Sequence, residues 1–424
     1  MRLSKSLLLD PLARPHFSSR LLVSPLTKPR FSKYLLASPV SRLFDKRTIH
    51  TPTYHFPKIP AIAFPLTKKR SLGEWMFWFA LFGYIMMCVG VYFYYVAPWI
   101  TGETNIRIGA DSDRYWEFAR YFGDVPVLSV TQNRLGPITL AMILKSGFLV
   151  MCFNVVLLLI ALKIADTIPN VNRTVFGLLL LANAELLPSL TTLNKEIFAL
   201  LASVMTVKYV YSSRPKLLLL LTLFVAVCAR WEQPAMLVFY LVTARLKIPP
   251  KWLLILLILA ITIGYPFAFR ILGVDPSSFD WLMADANTIV KLNSIQNAFG
   301  FPLVLPLKAL MLMGGSWISP HFYTNNLAFA GNLEDYQQII FQPLGCLAFL
   351  IVFYVAFRTG RLRLDNPVTV LSLITIILTA ASPFIQPRYL YGVYTMLCLE
   401  LARPKNPRLP SLRLQKREHF LRGT

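Results

Sequence analysis

From Trp75 onward, runs of predominantly apolar residues follow one another with only short polar breaks. About 20 such residues are enough for an α-helix to span the hydrocarbon core of a bilayer. A helix also satisfies its own backbone hydrogen bonds in lipid. The chain is 55% hydrophobic and only 15% charged, which is too apolar for a soluble globular protein. The sequence therefore predicts an all-α polytopic membrane bundle of about ten transmembrane helices.

The formal net charge of +23 is unevenly distributed along the chain. Basic residues are concentrated in positions 1–74, in the tail at 402–424 and in a few short loops. This distribution is typical of cytoplasmic segments, and it places both termini in the cytoplasm. The positive charge is therefore attributed to the membrane topology and to a tail that lies near anionic headgroups. No nucleic-acid partner is expected.

The segment 1–74 contains a 14-residue repeat that brings Pro11, Pro25 and Pro39 into register. Recurring prolines oppose long helices, and the period is too short for a solenoid. Disorder and no catalysis are expected here. The segment is interpreted as a bacterial cytoplasmic extension, which places the protein in the inner membrane. Because an acid-poor, Arg- and Ser-rich leader also resembles a mitochondrial transit peptide, a mitochondrial or endoplasmic-reticulum membrane is the alternative.

The predicted catalytic domain covers residues 75–401 and has two outer regions, 98–135 and 271–338. Its predicted spans include 75–96, 136–162, 174–192, 197–210, two spans within 217–243, 252–269, 367–382 and 389–401. The apolar run 301–313 is interpreted as re-entrant or interfacial. A crossing there would place Arg358, Arg361 and Arg363 outside, against the positive-inside bias.

Motifs for several other activities are absent from the sequence. The five cysteines lie in or beside apolar runs without a CxxC pair, so neither a disulfide framework nor a zinc site is predicted. The chain has no P-loop, no GxGxxG after a strand and no HExxH. Nucleotide-driven transport and histidine-based metal catalysis are therefore disfavoured.

The first outer region contains Asp111 and Asp113 just before an amphipathic pattern of Tyr115, Phe118 and Phe122. The spacing predicts a helix with the aspartates at its amino end. One interpretation is that they are N-caps. The other is that one carboxylate acts as a general base above the membrane plane.

Other predicted outer turns also carry charged side chains. Their candidate substrate-binding residues are Arg134, Lys195, Glu196, Arg230, Glu232, Arg388 and Tyr389. A ring of Arg and Lys above lipid suits a phosphate or diphosphate, which arginine can hold through two hydrogen bonds. Taken singly, such cations are also interface anchors, and Lys195 with Glu196 would form an interfacial ion pair.

Glu185 is a further candidate, because it lies within an apolar run where an unpaired charge is costly. It precedes Glu196 by about three helical turns, so both would face one cavity on a continuous helix. Pro188 between them would bend such a helix.

Three features together resemble the GT-C superfamily of integral-membrane glycosyltransferases. They are the acid-bearing loop after the first span, the later "NKE" turn and the Arg-Tyr pair before the last helix. The resemblance implies sugar transfer from a polyprenyl-phosphate donor to a glycan, lipid or protein acceptor. It implies Asp111 or Asp113 as the base and Lys195, Arg230 and Arg388 as phosphate ligands. It names no certain cofactor and leaves the use of a divalent metal open.

Two alternatives remain at this stage. An O-antigen-type polysaccharide polymerase would use Arg270, Arg388 or other outer arginines and leave Asp111 dispensable. A lipid-glycan flippase or transporter would favour inverted repeats and broken spans, for which the sequence shows no convincing pattern.

Overall fold

The computed structural model describes residues 72–104, 106–109, 111–120, 135–212, 215–271, 287–318, 334–335, 340–382 and 385–404. The predictions for the amino-terminal repeats, for Arg134 and for most of the basic tail lie outside these residues. So does the side chain of Arg270.

The described part of the chain is all-α. Its helices are α1 (Leu72–Thr101), α2 (Ser112–Arg120), α3 (Leu135–Leu144), α4 (Gly147–Asp166), α5 (Arg173–Leu181), α6 (Leu186–Thr191), α7 (Glu196–Tyr211), α8 (Lys216–Ala229), α9 (Glu232–Arg245), α10 (Pro250–Ile271), α11 (Asn287–Phe299), α12 (Phe301–Ile318), α13 (Gln342–Arg358), α14 (Pro367–Ala381) and α15 (Tyr391–Leu401). A 3₁₀ turn, Pro387–Leu390, leads into α15. The two regions predicted to be outer touch through one short parallel pairing of Ile106–Arg107 with Glu334–Asp335.

Helix α7 lies at the centre of the bundle. Nearly all of its residues are buried, and the same is true of α14 and α15. Its main neighbours are α4, α8 and α15. A helix that is apolar all round is stable only when other helices enclose it, which explains the uniform composition of "IFALLASVMTV".

The exterior of the bundle carries many large apolar side chains, including Phe79, Leu217 and Phe224 with 80%, 68% and 65% of their surface exposed. Such exposure is unusual in soluble proteins. Two helices, α1 and α4, are long and apolar enough to cross a membrane. Six further apolar helices or helix segments are shorter, with 10–17 residues each. The apolar surface and the two long helices indicate membrane association.

Two predicted spans are each divided into two helices. The expected span 136–162 breaks at Lys145, which adopts a left-handed conformation with φ 52°, so α3 and α4 are separate. The expected span 174–192 breaks between α5 and α6, where Asn183 Oδ1 accepts a hydrogen bond from the Glu185 backbone N–H. This local bond offers the backbone an alternative to the helix. Helix α6 in turn ends at Thr191, before α7 begins at Glu196, so Glu185 and Glu196 do not share a continuous helix.

A polar network lies at the carboxyl ends of α7 and α15. Arg361 donates to the backbone carbonyls of Glu400 and Arg403. The Glu400 carboxylate pairs with Arg403 at 3.3 Å and accepts a hydrogen bond from Tyr211. The guanidinium of Arg403 stacks over the Tyr211 ring, 3.9 Å from its centroid. The network holds the end of the last helix against α7 and the loop after α13.

Candidate functional site

Six of the predicted site residues converge at the amino ends of α2, α7 and α15 and at the turn between α8 and α9. We name this group the Tyr389 cluster, and it consists of Asp111, Lys195, Glu196, Arg230, Arg388 and Tyr389.

Asp111 contributes the carboxylate that connects two of the cations. Its backbone carbonyl accepts from the Tyr115 N–H, so Asp111 begins α2 as predicted. Its Oδ2 atom lies 2.6 Å from Arg388 Nη2 and 3.9 Å from Lys195 Nζ. The side chain keeps 23% of its surface exposed, whereas that of Arg388 is 2% exposed. Of these two side chains, Asp111 is therefore the one in contact with solvent.

The turn that carries Lys195 is held from two sides. Asn154, in the middle of α4, donates to the carbonyls of Leu190 and Thr192 at 3.2 and 2.9 Å. Ser112 Oγ accepts from the Leu193 N–H at 3.3 Å, which ties the start of α2 to the same turn. These bonds fix Asp111 and Lys195 relative to each other.

Gly109 allows the two segments to approach this closely. A Cβ atom at this position would lie 2.5 Å from Thr192 Oγ1 and 2.8 Å from Thr192 Cβ. Those distances are shorter than real Cβ contacts, so any larger residue would push the segments apart. The glycine is required by packing.

Glu196 and Arg230 form the buried side of the cluster. Arg230 Nη2 donates to Glu196 Oε1 at 2.8 Å, and the side chains are 5% and 0% exposed. Arg388 Nε lies 4.0 Å from the same Glu196 oxygen and donates to Gln386 Oε1 at 2.7 Å. Burying either of these ions without its partner would cost several kcal/mol of stability.

The ring of Tyr389 lies between the three cations. Its centroid is 3.6 Å from Arg230 Cζ, 5.5 Å from Lys195 Nζ and 5.8 Å from Arg388 Cζ. The negative face of an aromatic ring attracts cations, which offsets part of the repulsion among them.

The surroundings shift the pKa values of the cations in different directions. Burial and the charge of Arg230 lower the pKa of Lys195 to about 7, although Asp111 and Glu196 act in the opposite sense. Burial lowers the pKa of Arg388, but Asp111 and Glu196 outweigh this effect and the pKa stays above its ordinary value. Lys195 is therefore the cation of the cluster that titrates near neutral pH.

No protein-family model, curated protein or solved structure matches this chain. The geometry of the Tyr389 cluster is therefore the basis for assigning a function.

Three other predicted site residues do not belong to the Tyr389 cluster. Asp113 is exposed on the first turn of α2. Glu232 is buried at the start of α9, where burial raises its pKa and the charge of Arg230 opposes the rise. Glu185 is buried beside a small cavity behind Arg388. In the described part of the chain, no group of three His, Cys, Asp or Glu side chains is placed to share a metal ion.

Sequence reasoning missed three polar residues near the cluster. Tyr115 is buried on α2, where burial and the charges of Asp111 and Glu196 raise its pKa. Gln386 accepts from Arg388, and Gln342 faces the cavity behind Arg388. Tyr115 was interpreted only as an apolar-face residue. The position of Gln386 in "IQPRY", two residues before Arg388, was a usable signal, but nothing in the sequence connects Gln342 with Arg388.

Two spaces share Tyr394 as a wall. The first is a small cavity behind Arg388, whose walls include Glu185, Gln342 and Tyr394. The second is an apolar groove of about 480 Å³ between α1, α5 and α13, which also reaches Tyr394. Its volume lies within the range of small-molecule sites.

Proposed function

We propose that the protein is a membrane glycosyltransferase that moves a sugar from a polyprenyl-phosphate donor to a glycan, lipid or protein acceptor. The observation that carries this proposal is the contact of Asp111 with Arg388 and Lys195. It puts a partly exposed carboxylate next to buried cations that suit a phosphate. Sugar transfer from a lipid phosphate needs both, because a proton is removed from the acceptor while charge develops on the leaving phosphate.

The proposal includes about ten crossings with both termini in the cytoplasm, and the Tyr389 cluster on the outer face of a bacterial inner membrane. Support comes from the two ends of α7. The cluster lies at its amino end, and the network of Tyr211, Glu400 and Arg403 lies at its carboxyl end. The 16 residues of α7 extend about 24 Å, which is about four fifths of the roughly 30 Å thickness of the hydrocarbon core.

In the proposed reaction, Asp111 takes the proton of the acceptor hydroxyl as that oxygen bonds to the anomeric carbon. The bond from this carbon to the phosphate oxygen breaks, and the phosphate leaves with the electron pair. Lys195, Arg230 and Arg388 stabilise its charge. With Lys195 protonated, these three cations exceed Asp111 and Glu196 by one positive charge, which a phosphodiester anion balances. Binding of that anion to Arg388 competes with Asp111 and releases the carboxylate to act as base.

The apolar groove supports a lipid-linked donor. Leu344, Leu347 and Ile351 of α13 form one of its walls, and Met87 of α1 lies on another. The polyprenyl chain of the donor is assigned to this groove, with the phosphate toward Arg388. On α13, Gln342 and Gly345 line the small cavity behind Arg388, whereas Leu344, Leu347 and Ile351 line the groove.

Replacing Asp111 by Asn tests the proposal, with Asp113→Asn as the matched control on the same helix turn. Asp111→Asn is expected to lower transfer by about 10²–10⁴-fold, the contribution of a general base, because the amide cannot accept the proton. Asp113→Asn is expected to keep transfer within about twofold, because Asp113 is exposed. The measurement is glycan profiling by mass spectrometry in the native host at matched membrane levels. Full activity of Asp111→Asn would refute the base assignment.

The same experiment distinguishes a transferase from a polysaccharide polymerase. The burial and pairing of Arg388 also favour a polymerase. A polymerase would tolerate Asp111→Asn, whereas Arg388→Gln would replace long glycans by single repeat units. A transferase would instead lose one sugar addition in both variants.

A further inference from the structure

Gln342, the first residue of α13, is 1% exposed, and its side chain faces the cavity behind Arg388. Neither its Oε1 nor its Nε2 has a hydrogen-bond partner among the described residues. An amide left in this state costs free energy comparable to lost hydrogen bonds. A ligand that accepts from Gln342 Nε2 and donates to Gln342 Oε1 would satisfy both atoms.

Arg388 lines the same cavity. Its Nε donates to Gln386 and its Nη2 to Asp111, while its buried Nη1 has no hydrogen-bond partner among the described residues. The Tyr391 side chain lines the cavity as well, and its buried hydroxyl also has no described hydrogen-bond partner. Residues with unsatisfied donor and acceptor atoms therefore line part of one small space, and apolar side chains such as Leu312 and Phe349 line the rest.

The charge of the cavity argues for an uncharged ligand. Arg388 and Glu185 both line it, so one positive and one negative formal charge are already present. Glu185 is held on the wall by its backbone bond to Asn183 and by close packing on Gly345, where a Cβ would lie 2.6 Å from Glu185 Cγ. An anion would gain from Arg388 but would be repelled by Glu185. A neutral group that both donates and accepts suits the site better.

The size of the cavity restricts the ligand further. Its volume is about 10 Å³, close to the minimum needed for one water molecule. A hydroxyl oxygen has the same size and the same ability to donate and accept. A whole sugar ring does not fit, but one of its hydroxyl groups does.

We propose that this cavity is a subsite for one hydroxyl group of the sugar on the lipid-linked donor, and that Gln342 is a specificity-determining residue. The inference rests on the proposed function, because it takes the ligand to be a sugar. The hydroxyl donates to Gln342 Oε1 or Glu185 and accepts from Gln342 Nε2 or Arg388 Nη1. In the absence of substrate, one water molecule occupies the same position.

The test compares Gln342→Leu with the wild type and with Met313→Leu, which alters an apolar wall of the same cavity. Binding is measured by thermal unfolding of the full chain in nanodiscs. The probes are undecaprenyl phosphate and a panel of undecaprenyl phosphate hexoses. Gln342→Leu is expected to fold, because the substitution removes an unsatisfied buried amide and puts no charge in the core.

In the wild type and in Met313→Leu, at least one hexose-bearing lipid is expected to bind about 10-fold more tightly than undecaprenyl phosphate. In Gln342→Leu this difference is expected to disappear, while binding of undecaprenyl phosphate stays the same. If the difference persists in Gln342→Leu, or if no hexose strengthens binding to the wild type, the cavity holds only a water and the inference is overturned. If undecaprenyl phosphate itself does not bind the wild type, the proposed function fails and the inference fails with it.

Discussion

Lys195 is the residue of the cluster whose charge depends most on its surroundings. Its side chain is 8% exposed, and it lies between Asp111 at 3.9 Å and the ring of Tyr389 at 5.5 Å. Arginine side chains stay protonated at any physiological pH, but a buried lysine does not. The positive charge available to an anion therefore changes with pH at this position.

The affinity for a polyprenyl phosphodiester is expected to fall as the pH rises from 6.5 to 8.5. Because the pKa of Lys195 is about 7, the ammonium form that attracts the anion is present below this pH and is lost above it. The decrease approaches tenfold per pH unit well above the pKa, since proton uptake then accompanies binding. Lys195→Arg keeps its charge, so its affinity should vary little over this range. Equal pH profiles for the wild type and Lys195→Arg would show that Lys195 does not contact the phosphate.

At the scale of elements, the cluster depends on how closely short segments approach one another. Gly109, before α2, and Ser112, its first residue, contact the turn between α6 and α7, and α4 supports that turn through Asn154. The polar side chains are fixed by backbone partners, which holds Asp111 and Lys195 in position without a bound substrate.

Gly109→Ala is expected to lower transfer about 10- to 100-fold, because the added Cβ would move Asp111 away from Lys195 and Arg388. Thr192→Gly removes the atoms that the new Cβ would meet, so the double variant should recover part of the activity. Transfer assays on the two single variants and the double variant form a double-mutant cycle. Additive effects in that cycle would mean that the contact between residues 109 and 192 is not what positions Asp111.

For the whole molecule, the main features are the two polar networks at opposite ends of α7 and α15 and the apolar surface between them. Lys208 lies at the same end of the bundle as the Arg361–Glu400–Arg403 network. Its Nζ donates to the Thr167 carbonyl at 2.8 Å. Basic residues gathered at one end agree with a cytoplasmic side.

This orientation predicts which positions react with a membrane-impermeant maleimide in a cysteine-free background. Glu103→Cys is expected to be labelled in intact cells, because residue 103 lies on the predicted outer face and is exposed. Asp365→Cys, in the exposed loop between α13 and α14, should be labelled only after the cells are opened. Labelling of Asp365→Cys in intact cells would place the basic loop outside and contradict the proposed topology.

The sequence by itself determined the helical class and most helix positions, because these depend on local apolar runs. The observed α7 and α14 lie within about one residue of the predicted 197–210 and 367–382. Local sequence also indicated the turns that carry Lys195, Arg230 and Arg388, although their roles and their place on the outer face stay predictions. The break at Lys145 had a local signal in Lys145-Ser146-Gly147, which the prediction of one continuous span did not use.

Only the tertiary structure decided which of the charged residues come together. It paired Asp111 with Arg388, left Asp113 exposed and placed Gln342 behind Arg388, across long stretches of sequence. Contacts between residues 277 positions apart depend on how helices pack, and packing leaves no periodic signal in a single sequence. Hydrophobic periodicity predicts the elements, whereas the pairing of charges follows from the arrangement of the bundle.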